Sequence, residues 1–373
     1  MQNSISNKYA TYLFTALYSA GAIFCIFLTS VYIMDIYQYM DTQRIILKIL
    51  YAVGIAFNIF VFKTYNLKKY IIHFLITVLI LIAATQSNSF YKISYLWFFL
   101  LAIPPISLKQ ISKTVLTITT VSIISVILIT AFGGGENISF IRPGTNFIRY
   151  SYGFLNPNLF AAYLFQICIT FAYIRWKDWN SKDNILMFSI LCLAFFFTNS
   201  RTTSILILLL FLSVNIRNPI NIEHIIKISQ SLLLLCPTFT LITSKLYCMS
   251  SPFAYILDEI FSYRFRNACY SMASYPITLL GNNIKITHDM LLIDNIYANL
   301  PIHYGICISL LFFTAYWIML KKAFKNNNMP LLVILTLTIL QGITESIPLI
   351  YYLNFSILTF SALLNNTKIF NET

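Results

Sequence analysis

Apolar runs of about 15–23 residues, each about the length that crosses roughly 30 Å of hydrocarbon as a helix, recur along the whole chain between short polar segments. The pattern predicts an all-α polytopic membrane protein with about twelve spans, at 12–34, 45–62, 70–84, 94–107, 114–133, 154–174, 184–198, 203–216, 225–245, 300–320, 329–344 and 347–364. Dyad-patterned strands of a membrane barrel are not what these runs show. The first run, Tyr12 to Met34, is longer than a signal-peptide core and reads as a retained helix. Span 94–107 contains Pro104-Pro105, and the pairs 184–198/203–216 and 329–344/347–364 are closely spaced. The whole of 1–373 reads as a single membrane domain.

Lysines set the expected orientation. Lys63, Lys68, Lys69, Lys109, Lys113, Lys177, Lys182, Lys321, Lys322, Lys325 and Lys368 fall in connections on one side, together with Arg175 and Arg217. The positive-inside rule makes that side cytoplasmic, with both termini inside. The other face then carries loops 134–153, 198–202 and 246–299. In the longest of these, Phe253, Ile256, Leu257, Ile260 and Phe261 have the spacing of an amphipathic helix lying on the membrane.

Composition agrees: 58% hydrophobic and 10% charged residues exclude a soluble globular chain. The net charge of +13 would suggest nucleic acid in a soluble protein. Here the basic residues are dispersed through short loops, so topology and anionic membrane lipid explain them, and no nucleic-acid partner is expected. Of seven cysteines, Cys25, Cys168, Cys192, Cys236 and Cys307 lie in or beside apolar runs as small packing residues. Cys248 and Cys269 share one polar loop, which leaves open a disulfide there or two free thiols.

Arginine departs from the lysine pattern. Of eight arginines, Arg44, Arg142, Arg149, Arg201, Arg264 and Arg266 fall on the outer side. A topogenic signal needs only positive charge, whereas the guanidinium fork suits phosphate and carboxylate oxygens. An anionic ligand on the outer face is one explanation; pairing with lipid headgroups or with Glu136 and Asp258 is the other.

Three motifs carry these arginines. In the stretch from Arg149 to Gln166, Asn156-Pro157-Asn158 opens a helix; an Asn156 cap before Pro157 accounts for the entry. Asn158 and Gln166, eight residues apart near one helical face, are left over, and polar side chains inside a membrane helix often mark a site. Ser200-Arg201-Thr202-Thr203 holds Arg201 at the bilayer surface, where it either snorkels or joins the hydroxyls in holding an anion. Arg264 and Arg266 are two apart and so point to different helix faces. Downstream, Gly281-Asn282-Asn283 makes a turn, and Asp294, Asn295 and Tyr297 stand at the mouth of span 300–320, where Asp294 either complements the helix dipole or serves a site. Glu345 is another outer-face acid; His288 and His303 show no ligand spacing for a metal.

The order of these motifs, GFLNPN entering a helix, TNSR between two helices, a long outer loop with S-x-R, an L-x-G-N turn, and IDNIY followed by Y-G, resembles the O-antigen polymerase (Wzy-type) and O-antigen ligase superfamily over about residues 134–305. The resemblance implies a metal-independent glycosyltransferase without a cofactor, on the periplasmic or outer face of a bacterial inner membrane. Its donor would be a polyprenyl-diphosphate-linked oligosaccharide, transferred to a sugar hydroxyl of another lipid-linked repeat unit. A flippase and a chain-length regulator are implied partners. Arg149, Arg201 and Arg264 would hold the diphosphate with Arg142 and Arg266 in support; Tyr152, Asn156 and Asn158 would orient it or the first sugar. Asn295 and Tyr297 would contact substrate, and Asp294 would be the base. The ligase branch has histidine where this chain has Asp294, which favours polymerase. A ligase and a non-enzymatic flippase are the alternatives.

Overall fold

The computed structural model describes residues 2–28, 30, 40–64, 66–87, 90–141, 148–216, 221–284 and 293–365. Arg142, Arg217, His288, Asp289 and Lys368 lie outside the described residues. In chain order the helices are α1 (Gln2–Leu28), α2 (Met40–Ala56), α3 (Leu67–Gln86), α4 (Phe90–Ala102), α5 (Leu108–Ile129), α6 (Pro157–Arg175), α7 (Ser181–Cys192) and α8 (Arg201–Asn215). Then follow α9 (Ile222–Cys248), α10 (Pro252–Ile260), α11 (Arg264–Ser274), α12 (Ile296–Asn299), α13 (Gly305–Lys325), α14 (Met329–Gln341), α15 (Phe355–Leu358) and α16 (Ser361–Leu364). A short hairpin, β1 (Ser139–Ile141) with β2 (Ile148–Tyr150), precedes α6.

Among the described residues, seven helical stretches are long and apolar enough to cross a membrane: Lys8–Phe27, Thr42–Val61, Leu67–Gln86, Leu108–Gly134, Pro157–Arg175, Ile222–Cys248 and Ile296–Lys325. Ile93–Ala102, Arg201–Asn215, Met329–Gln341 and Phe355–Leu364 are apolar but shorter.

Two expected spans end differently from the hydropathy reading. α4 stops at Ala102, before Pro104-Pro105, because proline cannot continue the hydrogen-bond ladder. The carbonyls of Leu101 and Ile103 are taken instead by the buried Asn58 amide, at 2.7 and 3.0 Å. The run 347–364 is not one helix. Pro348 sits in a short 3-10 turn, Ile347–Leu349, and buried Asn354 remakes the backbone bonds beyond it. Its Nδ2 donates to Pro348 O (2.9 Å) and its Oδ1 accepts from Ser356 N (2.9 Å), so it starts α15.

The chain forms two compact units: Met1–Thr64, Leu101–Pro219 and Asn365–Thr373 in the first, Tyr65–Leu100 and Ile220–Leu364 in the second. In the first unit α5 packs on α1 and α6. Phe14, Tyr18, Ile26 and Tyr163 are buried there. Fully buried Gln166 meets the Tyr18 hydroxyl, which also lies 3.4 Å from Thr119 Oγ1. Gln166 is thus a cross-helix hydrogen-bonding residue of the core.

In the second unit α9 packs against α11, α13 and α14. Ser229 Oγ and Thr336 Oγ1 meet at 2.5 Å, and Phe239 packs edge-on to Phe265. α10 is short and amphipathic, but inverted relative to a soluble helix: Phe253, Ile256 and Ile260 are exposed while Ala254 and Asp258 are buried. Such a helix presents its apolar residues to lipid.

The Gly-Asn turn has a structural cause. Pro301 removes a donor from the helical stretch 296–325, and a widened turn, Leu300–Tyr304, absorbs the defect. Segment 276–282 docks on this turn. Asn282 donates to His303 O through its backbone (3.2 Å) and to Ile302 O through its side chain (2.7 Å), while Ile306 N reaches Thr278 O (3.0 Å). Gly281 and Gly305 both have positive φ, 92° and 89°. A Cβ on Gly305 would run into Gly281 N and Leu279 O. Gly305→Ala is therefore expected to destabilise the protein by about 1–3 kcal/mol from backbone conformation alone, with the clash adding to it. A lowered thermal midpoint in detergent checks this.

Candidate functional site

The two units contribute separate polar clusters. In the first, the β1–β2 register pairs Phe140 with Arg149. Arg149 Nη1 donates to Asn158 Oδ1 at 3.2 Å. Asn156 is the N-cap of α6: its Oδ1 accepts from Leu159 N at 2.8 Å, with Pro157 at the first helical position. The two asparagines of the triplet thus differ in role: Asn156 serves the backbone, and Asn158 in the first turn orients a guanidinium.

Tyr152 adopts a left-handed φ of 51°, and its amide donates to Asn137 Oδ1 at 2.8 Å. Its ring lies against Phe160 and Phe197. Burial, and then Tyr150, push its phenol above the usual range, so it remains a neutral hydrogen-bond donor near pH 7.

Arg201 is the first residue of α8. Ser200 makes no side-chain cap, because its hydroxyl bonds Thr203 Oγ1 instead (3.1 Å). The N-cap side chain therefore leaves the first amides of α8 uncapped, the arrangement that makes a helix start attractive to anions. Arg201 is exposed, and no described residue takes a hydrogen bond or ion pair from it. With Ser204, Phe188, Phe195 and Leu208 it lines an apolar groove of about 390 Å³. Ser204 Oγ is buried without a hydrogen-bond partner among the described residues. By contrast Arg175 is engaged within the same unit, by Asp183 at 3.1 Å and Asp178 O at 2.8 Å.

In the second unit Arg264 bridges two carboxylates. Nη1 meets Asp294 Oδ2, and Nη2 meets Glu345 Oε1 at 3.2 Å. Asp294 is the more open of the acids, its side chain 34% exposed against 17% for Glu345. One guanidinium between two carboxylates leaves a formal charge of −1. Arg264 as placed is engaged by two acids, while its Nε is buried without a hydrogen-bond partner among the described residues. Burial pushes the Glu345 carboxyl above its ordinary range, and Arg264 pulls it partly back.

Arg266 points elsewhere, its guanidinium stacked 4.7 Å over the Tyr263 ring. The start of α11 that sets both arginines is fixed by buried Asp258, which accepts from Phe265 N and Arg266 N, each at 2.9 Å. Burial raises the Asp258 carboxyl, and the two amide bonds and Arg266 oppose that.

Asn295 and Tyr297 are buried, 1% and 2% exposed, and their polar atoms serve the fold. Asn295 Oδ1 caps α12 through Tyr297 N (2.8 Å), and its Nδ2 donates to Ile343 O and to Thr240 Oγ1 (3.3 Å). Tyr297 OH donates to Ile339 O at 2.5 Å. Together they anchor the segment carrying Asp294 to α9 and α14.

Cys248 and Cys269 form a disulfide joining the end of α9 to α11, with Cα atoms 5.6 Å apart. Substituting both by serine opens a loop of 21 residues and is expected to cost about 3 kcal/mol. Thiol alkylation with and without reductant, followed by thermal unfolding, checks both the bond and its effect.

Glu345 was visible in sequence as an outer-face acid, but its pairing with Arg264 was not. A signal was present: it is the only acid between Asp294 and Glu372. Among the described residues no three His, Cys, Asp or Glu side chains converge as a metal site. No protein-family model, curated protein or solved structure matches this chain.

Proposed function

We propose that this chain is a polysaccharide polymerase of an inner (plasma) membrane. It would join a polyprenyl-diphosphate-linked glycan to a sugar hydroxyl of another lipid-linked repeat unit on the outer face. The observation that carries the reading is the start of α8. An exposed arginine, uncapped helix amides and an unpartnered serine hydroxyl stand at the mouth of an apolar groove. Phosphate oxygens suit the polar part and a polyprenyl chain suits the groove. The motif order noted in the sequence supplies the reaction class.

In the first unit Arg201, with Arg149 oriented by Asn158, binds the diphosphate and stabilises it as it leaves. Tyr152 donates to a phosphate or sugar oxygen. Within the second unit, Asp294 is the proposed acceptor of a hydroxyl proton. Asp294 holds this role because it is the more open acid of the pair. Glu345 and Arg264 hold the Asp294 carboxylate in place, and Asn295 and Tyr297 are positioning residues for its backbone. Arg142 and Arg266 remain supporting cations in this proposal.

The twelve-span topology with cytoplasmic termini belongs to the same proposal. The Cys248–Cys269 disulfide supports an outer position for loop 246–299, since disulfides persist on oxidising sides of membranes. Gel electrophoresis of surface glycan from a deletion strain tests the assignment. A polymerase deletion leaves acceptors capped with one repeat unit. A ligase deletion leaves polymer stranded on the lipid carrier, and a flippase deletion leaves no repeat unit on the acceptor.

A further inference from the structure

Two membrane-length helices of the second unit carry matching polarity gradients. On α3, Lys69, His73, Ile76 and Ile80 recur at helical spacing along one face. On α13, Lys322, Ile318, Ala315, Leu311 and Ile308 do the same from its C-terminal end. Below the lysines both faces line one apolar groove of about 280 Å³, which Trp97 and Phe312 also line.

The basic ends converge at the close of α16. Lys69 Nζ reaches Leu364 O and Lys322 Nζ reaches Ala362 O, each at 3.5 Å. The two ammonium groups are near enough to repel each other. His73, one turn beyond Lys69, lines the same groove, as does Leu364. The chain has no Asp or Glu between Asp41 and Glu136, nor between Asp294 and Glu345, so neither helix brings a neutralising carboxylate. Helix-end capping and topogenic charge explain one lysine at a time. They do not explain two lysines and a histidine heading a groove whose walls are otherwise apolar but for Thr314. A phosphate at one end and an acyl chain along the other match both parts.

We propose that this groove is a binding site for one anionic phospholipid, its phosphate between Lys69 and Lys322 and an acyl chain running toward Ile80 and Ile308. The site is independent of the catalytic assignment.

Trp97 gives the test a reporter, because it lines the groove. Full-length protein is reconstituted in phosphatidylcholine vesicles containing a minor share of phosphatidylglycerol, with bromines on the acyl chains of one lipid or the other. A Trp97→Phe protein measured in parallel subtracts the remaining tryptophans. Brominated phosphatidylglycerol should quench Trp97 more strongly than brominated phosphatidylcholine at equal mole fraction. Lys69→Ala and Lys322→Ala should each lower that preference about five-fold, and Lys69→Arg/Lys322→Arg should retain it. Equal quenching of the wild-type protein by the two lipids overturns the proposal, whether or not the alanine variants fold. So does a preference that survives both alanine substitutions.

Discussion

Arg201→Ala is expected to abolish long-chain surface polymer while leaving the fold as stable as before. The two parts have separate causes. Arg201 is exposed and makes no ion pair or hydrogen bond among the described residues, so its loss removes no native polar partner. It also places a cation at a helix N-terminus, where the dipole disfavours positive charge by about 0.3–1 kcal/mol. Thermal stability should therefore hold or rise slightly. Catalysis should fall by about 10²–10³-fold, the effect of removing one donor that stabilises developing anionic charge. Arg201→Lys keeps the charge without the fork and should recover only part of the activity. Polymer length on gels, set beside a melting curve of the purified variant, separates the two readouts. Loss of activity accompanied by a fallen melting temperature would assign Arg201 to structure instead.

Arg264→Ala should behave in the opposite way, losing stability first. Arg264 is 12% exposed and compensates two acids. Removing it leaves Asp294 and Glu345 as adjacent uncompensated carboxylates. Breaking a buried pair in this manner costs about 3–5 kcal/mol, and the low end applies because Asp294 is partly solvated. The deficit should depend on pH. The folded-state pKa of Glu345 is already raised by burial, and Arg264 is the cause that lowers it. Without Arg264 that pKa rises further. Stability from a raised carboxyl is fully present below its unfolded value and is lost as pH rises through the folded value. The variant should thus be weakest at neutral and alkaline pH and approach the wild-type protein on acidification toward the ordinary carboxylate range. A stability difference that is constant with pH would remove the carboxylate pair from the explanation. Glu345→Gln in the Arg264→Ala background should recover part of the loss at neutral pH.

The helical class was legible in the hydropathy pattern: the described chain is largely helical, and seven of its helical stretches are long and apolar enough to cross a membrane, against the twelve spans expected. Where the pattern misled, backbone chemistry outweighed hydropathy. The run 347–364 is apolar throughout, yet Pro348 and the buried amide of Asn354 break it into short pieces. Pro104-Pro105 ended α4 early, and the compensating partner was Asn58, over forty residues away in sequence. Local motifs transmitted their local meaning well: Asn156 before Pro157 caps α6, and Gly281 marks a tight approach to Gly305.

Roles that depend on what lies opposite were not legible. Nothing near Arg264 in sequence announces Glu345, 81 residues on. Asn295 and Tyr297 sit in the motif that drew attention to Asp294, but the whole stretch from Asn295 to Ala298 is buried, so their side chains serve the core. Arg149 and Arg175 look alike as loop arginines, whereas one is held by a neutral amide and the other by an aspartate. Whether an arginine meets an amide or an acid is a property of neighbours in space.

The central claim is that the chain itself forms glycosidic bonds from a lipid-diphosphate donor. It is tested most directly by reconstituting purified wild-type and Arg201→Ala protein in liposomes with a single polyprenyl-diphosphate-linked repeat unit as the sole substrate. The account predicts a ladder of lengthened, lipid-linked products with wild-type protein, one polyprenyl diphosphate released for each bond formed, and neither with Arg201→Ala. Repeat units that change leaflet without lengthening, or that stay untouched alongside properly folded wild-type protein, would contradict it.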